Sequence, residues 1–183
     1  MNHSPGTLEG PRVLLVPLGL PHVRALERIR TIRAVAQWWG EPPPGWPMSD
    51  DRRCVRYAVL LRGGGDAVWG MTQFSEQNDP VYRHAGIDVF LDPAIHGRGL
   101  GREAVSVLAA HLVDDRGHRR LVIDPAVDNV RAVVCYQAVG FRPVGVMRSY
   151  ERRPDGMERD GLLMDLLAPE LVRACPPAEL FGL

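Results

Sequence analysis

The segment His96-Gly97-Arg98-Gly99-Leu100-Gly101-Arg102 constrains the fold of this 183-residue chain more than any other. Glycines at alternate positions let a backbone turn sharply and come close to a ligand. Before them, residues 85–91 alternate as a strand, with Ile87, Val89 and Leu91 on one face and Asp88 and Phe90 on the other. After them a helical pattern runs to about Val113, apolar at Ala104, Leu108 and Leu112. The glycines therefore join a strand to a helix, where unpaired N–H groups and a positive dipole end meet. With Arg98 and Arg102 alongside, the turn is either a seat for a phosphate or pyrophosphate, or a turn made for its geometry alone. Two better-known phosphate motifs do not fit. The dinucleotide fingerprint needs a different glycine spacing, placed after the first strand of the chain. A Walker loop needs a Lys after its last glycine, and this chain contains none.

Around that turn the remaining elements fall into order. Residues 12–16 are short and apolar, a first strand. After Pro21, Leu26, Ile29, Ile32 and Ala36 recur at helical spacing and predict one helix ending near Trp38-Trp39-Gly40. Residues 54–61 and 67–75 are strand-like runs joined by Gly63-Gly64-Gly65-Asp66, a hairpin signal. Residues 121–124 form another strand. Asp128 is placed to cap a helix over 129–139, which Gly140 ends at a left-handed position. A final hairpin, 141–152 with 159–167, turns at Pro154-Asp155-Gly156. The order β-α-β-β-β-α-β-α-β-β describes an α+β fold on a mixed, mostly antiparallel sheet flanked by helices. The length suits one domain over 1–183, with its core at about 12–167 and tails at 1–10 and 168–183.

Charge and composition narrow the partners. Lys+Arg and Asp+Glu are both 22, so no overall field draws in nucleic acid or an acidic membrane. No apolar run reaches the ~20 residues that cross a bilayer. The start, Met1-Asn2-His3-Ser4-Pro5-Gly6, lacks the pattern of a secretory signal. Cys54, Cys135 and Cys175 are distant and odd in number, forming neither a disulfide framework nor a metal spacing. The six His are scattered, so no metal site is expected. A cytoplasmic protein, monomer or homodimer, fits these features.

A second constellation lies at Asn129-Val130-Arg131-Ala132-Val133-Val134-Cys135-Tyr136-Gln137-Ala138-Val139-Gly140-Phe141. On a helix Asn129, Ala132 or Val133, and Tyr136 share a face. A polar group on an apolar face must find a partner, in neighbouring backbone or in a ligand. Together, His96-x-x-Gly99-x-Gly101 and Asn129-x-x-Ala132-x-x-x-Tyr136-x-x-x-Gly140-Phe141 resemble the GCN5-related N-acetyltransferase (GNAT) superfamily, and the matching element order runs from about Arg12 to Leu167. The resemblance implies acetyl-CoA as co-substrate. His96, Gly97, Arg98, Gly99, Gly101 and Arg102 would hold its pyrophosphate, largely through backbone N–H groups. The strand carrying Val89 and Leu91 would pair with the pantetheine arm, which Asn129 would also reach. Tyr136 would protonate the leaving thiolate. His96 departs from the family, which usually has Gln or Arg there.

A narrower similarity is to the aminoglycoside 6'-N-acetyltransferases, through Trp38-Trp39-Gly40, Gly86-Ile87-Asp88 and Asp124-Pro125. It implies that Trp38 and Trp39 form an aromatic wall, that Asp88 takes a proton from the amine or orients it, and that Asp124 holds an ammonium. The residues themselves show a local acidic bias, Glu76, Asp79, Asp88 and Asp92 against Arg83, which reads as a cationic-substrate site or as a solvated loop. Asp88 lies within a strand of apolar neighbours, where a carboxylate without a partner is costly. Residues 74–83 lack the tryptophans of the drug-modifying enzymes, and the final hairpin reads as that of a generic acetyltransferase. Three functions follow: an aminoglycoside N-acetyltransferase, a GNAT enzyme for another amine (a protein N-terminus, a lysine or a siderophore precursor), or a non-catalytic acyl-CoA-binding module. Retention of the glycines and Tyr136 counts against the last.

Overall fold

Short alternating runs separated by glycine turns pair into an eight-stranded sheet, seen in a computed structural model that describes residues 6–48, 54–153 and 155–174. The elements in chain order are β1 (Leu8–Glu9), β2 (Val13–Pro17), α1 (Val23–Thr31), α2 (Arg33–Trp39), β3 (Cys54–Leu61), β4 (Val68–Gln77), β5 (His84–Leu91), α3 (Leu100–Asp114), β6 (Arg120–Ile123), α4 (Val130–Gln137), β7 (Arg142–Arg152) and β8 (Glu158–Leu167). The strand order is β1-β2-β3-β4-β5-β6-β8-β7. Every neighbouring pair is antiparallel except β5 with β6. The α+β class and the mixed, mostly antiparallel sheet agree with the expected fold. Pro154 of the expected final turn lies outside the described residues, as does Cys175.

Alternation divides the core between the two faces of the sheet. Tyr57 and Val59 of β3, with Ala85, Ile87 and Leu91 of β5, face Ala104, Leu108 and Leu112 of α3. Ala58 and Leu60, with Phe90, face Leu26 and Ile29 of α1, Val35 of α2 and Trp46. Burial of each such side chain contributes about 1.5–3 kcal/mol relative to exposure.

Three local expectations are corrected. The single helix expected up to Trp38-Trp39 is two, because Ile32 is extended (φ −66°, ψ 123°) and starts α2. Ile29 and Val35 are both buried in one cluster, yet six residues apart on a continuous helix they would face roughly 120° apart; the break turns both to the sheet. Arg30 bridges the pieces, its Nη2 donating to the carbonyls of Trp39 (3.0 Å) and Gly40 (2.9 Å). Asp128 is not the cap of α4. Asn129 is, its Oδ1 accepting from Ala132 N–H at 3.3 Å, so Asn129 precedes the helix instead of sharing its face. The strand β1 was not expected.

Candidate active site

The parallel pair β5–β6 is held by only two register positions, Ala85↔Leu121 and Gly86↔Val122. Beyond them the strands part, since β6 continues its pairing with β8. The edge of β5 from Ile87 to Leu91 is left without a strand on that side. A cleft of about 350 Å³ fills the gap, with Ile87, Asp88 and Val89 on one wall and Ile123, Asp124, Pro125 and Ala126 on the other. Asn129 and Tyr136 line it from α4 and the loop before it, and Trp38, Trp39, Gln73, Tyr150, Glu151 and Asp160 complete it.

Asp88 stands on this wall, half-buried, where Gln73 directly opposite it on β4 donates Nε2–H to its Oδ2 at 2.9 Å. Burial pushes its pKa above the ordinary carboxylate value; the Gln73 bond opposes that shift and the charge of Asp124 adds to it. Across the gap Asp124 accepts a short hydrogen bond from the hydroxyl of Tyr150. That bond holds the phenol proton and raises the Tyr150 pKa to about 12. Tyr136 is 7% exposed, its ring edge against Phe141 at 6.3 Å. Burial raises its pKa far above that of a free phenol, so the hydroxyl keeps its proton at working pH.

The glycine turn lies at the end of β5. Gly97 (φ 76°) and Gly99 (φ 75°) are left-handed, a conformation that costs other residues about 1–2 kcal/mol. Gly99 starts α3, whose first N–H groups have no intrahelical acceptor. Arg98 and Arg102 are exposed. His96 is tied into the scaffold: its Nε2 meets the Leu91 carbonyl at 3.0 Å and its Nδ1 meets Arg131 Nη1 at 2.6 Å. Guanidinium only donates, so Nδ1 accepts and Nε2 carries the hydrogen. Burial lowers the pKa of His96, in keeping with this neutral form.

The cleft thus gathers Asp88, Val89, Asp124, Asn129, Tyr136, Trp38 and Trp39, while His96, Gly97, Arg98, Gly99, Gly101 and Arg102 form the adjoining turn. Leu91, expected beside the pantetheine arm, is 7% exposed, packed in the core and outside the cleft lining, and its carbonyl is taken by His96. The acidic loop reads differently from expectation. Glu76 is bound by Arg116 and His118, Asp79 caps the local turn at Val81, and Asp92 caps Ala94 and faces Arg28. Of those four acids only Asp88 enters the cleft. Glu151 and Asp160 enter instead, from the final hairpin, together with Gln73 and Tyr150, none of which had been expected. Arg159 backs this wall, stacked over Trp38 at 4.9 Å and donating to the Gln37 carbonyl at 3.1 Å. Among the described residues no cluster of three or more His, Cys, Asp or Glu is set to hold a metal, and no helix is long and apolar enough to cross a membrane.

Residues 26–141 match the acetyltransferase (GNAT) family, and the chain belongs to that family. It is 36% identical over 138 residues to an aminoglycoside N(6')-acetyltransferase type 1 of Klebsiella pneumoniae, a match covering 75% of this chain and 57% of that relative. The chain therefore spans just over half the length of that relative. Its fold is shared with RimJ of Mycobacterium smegmatis, solved with CoA-disulfide (TM-score 0.77, 24% identity, 92% of this chain and 89% of that one). It is also shared with a spermidine N-acetyltransferase of Vibrio cholerae, solved with CoA and spermine (TM-score 0.74, 18% identity, 86% and 96%).

Proposed function

We propose that the chain is an acetyl-CoA-dependent N-acetyltransferase whose acceptor is an amine of an aminoglycoside, the 6'-amine, and that transfer is direct. The observation that carries this reading is the position of Asp88, on the open edge of β5 and facing a cleft whose other charged walls are Asp124, Glu151 and Asp160. The open β5 edge, the left-handed glycines and the α3 N-terminus fit a pantetheine arm and a pyrophosphate. Bound there, acetyl-CoA supplies the thioester carbonyl that the amine attacks.

The residues divide the work. Val89 offers backbone groups along the edge, and the stretch from His96 to Arg102 receives the diphosphate. Asp124, Glu151, Asp160 and the rings of Trp38 and Trp39 hold a polycation by charge-assisted hydrogen bonds and apolar contact. Asp88 takes the proton that an alkylammonium must lose before its nitrogen attacks, and Tyr136 returns a proton to the sulfur that leaves. The C–N bond forms as the C–S bond breaks, with no acyl-enzyme between them. The same carboxylates suit another polycationic amine, which is the second reading.

An acceptor screen with acetyl-CoA, following free thiol, tests the assignment. Aminoglycosides with a free 6'-amine are expected to give the fastest release. Equal release with drugs lacking that amine defeats the regiochemistry, and fastest release with a peptide N-terminus or a lysine side chain defeats the drug as acceptor.

A further inference from the structure

Arg12, just before β2, lies 86 residues before Arg98 in sequence yet reaches the glycine turn, its Nη1 donating to the carbonyl of Arg98 at 3.0 Å. Its Nε is held by Glu103 Oε2 at 2.7 Å, and its own N–H and that of Val13 are held by Glu103 Oε1 at 2.5 and 2.9 Å. Glu103 is buried in the first turn of α3, with its side chain 6% exposed, so the guanidinium is fixed from behind. Its Nη2 lies 3.5 Å from where a Cβ on Gly99 would stand.

We infer that Arg12 is a positioning residue for the diphosphate seat: by holding the Arg98 carbonyl it turns the Gly99 N–H outward to meet an anion. A trans peptide is planar, so its C=O and N–H point in opposite directions. Fixing the Arg98 oxygen toward β2 therefore fixes the Gly99 hydrogen away from it, on the side where the first N–H groups of α3 are free. Gly99 is left-handed and Gly97 has nothing within 4 Å of a Cβ position, so the turn itself has little to stop that peptide from flipping. The fork of Arg12 supplies the restraint. Lysine offers no such fork, and its shorter point charge cannot serve Glu103 and Arg98 in this geometry. This inference rests on the acetyl-CoA reading above.

Two variants, Arg12→Gln and Arg12→Lys, test it against the full chain. Calorimetry with CoA gives the affinity, and kcat/KM is compared between acetyl-CoA and S-acetyl-pantetheine, which lacks the diphosphate. Arg12→Gln is expected to weaken CoA binding about tenfold or more and to lower the preference for acetyl-CoA over S-acetyl-pantetheine by a similar factor. Arg12→Lys, which keeps the charge beside Glu103, is expected to do the same to a smaller extent. A merely structural role lowers both donors together and leaves the preference where it was, and that result overturns the inference. So does unchanged CoA affinity in either variant. A wild-type chain that fails to bind CoA overturns this inference and the acetyl-CoA reading together, whereas a wild type that binds CoA beside variants that bind it equally well overturns this one alone.

Discussion

Asp88 is held by Gln73 on β4 and faces the charge of Asp124 just after β6, and each moves its proton in a known direction. Under the proposed mechanism its carboxylate must be ionised to act, so activity rises with pH through its raised pKa. The acid limb of kcat/KM is therefore expected above the ordinary carboxylate range, which lies near ~4. Gln73→Leu removes the bond that favours the anion and should move that limb higher; Asp124→Asn removes a neighbouring charge and should move it lower. A limb unmoved in both variants means that another group titrates. Asp88→Asn itself should abolish acetylation of cationic amines, with acetyl-CoA affinity by calorimetry almost intact. Tyr136→Phe should lower turnover by on the order of 10²-fold while changing donor affinity little, because its hydroxyl is the cleft group proposed to donate a proton to the leaving sulfur. Unchanged turnover would return Tyr136 to a packing role against Phe141.

Elements with a strong period were legible, and elements held by tertiary contacts were not. Strand β5 and helix α3 each carry a clean apolar pattern, and the glycines between them mark the joint, so this half of the site could be read from the sequence. Strand β1 has two residues, too few to show any period. The break at Ile32 was hidden because Ile29, Ile32 and Ala36 satisfy helical spacing whether or not the helix is continuous. The far wall was hidden for another reason. Register shifts between Pro143 and Gly145, and between Met147 and Glu151, break the count of two along β7, so the faces of Tyr150 and Glu151 cannot be counted from the hairpin turn. Gln73 opposes Asp88 by the register of β4 with β5, which no turn signal in the sequence fixes. Gly140, three residues beyond the end of α4, meets two demands. With φ 113°, a Cβ there would also stand 2.3 Å from the Glu170 carbonyl oxygen. Gly140→Ala is expected to cost about 2–4 kcal/mol, read from the denaturant midpoint, through left-handed strain plus this clash.

Across the whole molecule, a half-exposed ion cluster ties the loop after α3 to the sheet away from the cleft. Glu76 of β4 is bound by Arg116 and His118, and chiefly the Arg116 hydrogen bonds hold its pKa down at about 2. A depressed carboxylate stabilises the fold above its unfolded pKa, near 4.5, and that stability fades as pH falls toward about 2. Thermal melts of the wild type should therefore drop across that window. Glu76→Gln should flatten the drop and cost about 1–3 kcal/mol at neutral pH. At the same scale, direct transfer requires donor and acceptor to occupy the splayed sheet together, so initial-rate plots should intersect. Parallel lines, or an acetylated cysteine found by mass spectrometry, would contradict it. The splay also has an evolutionary consequence. The glycine turn and its Arg12 brace all precede β6 in the chain, while Asp124, Tyr150, Glu151 and Asp160 all follow its start. Only two ladder positions join β5 to β6. A single genetic crossover just before Arg120 would therefore exchange the carboxylates of one cleft wall while keeping the diphosphate seat, Trp38, Trp39 and Asp88, giving a lineage a short route from one acceptor to a related one.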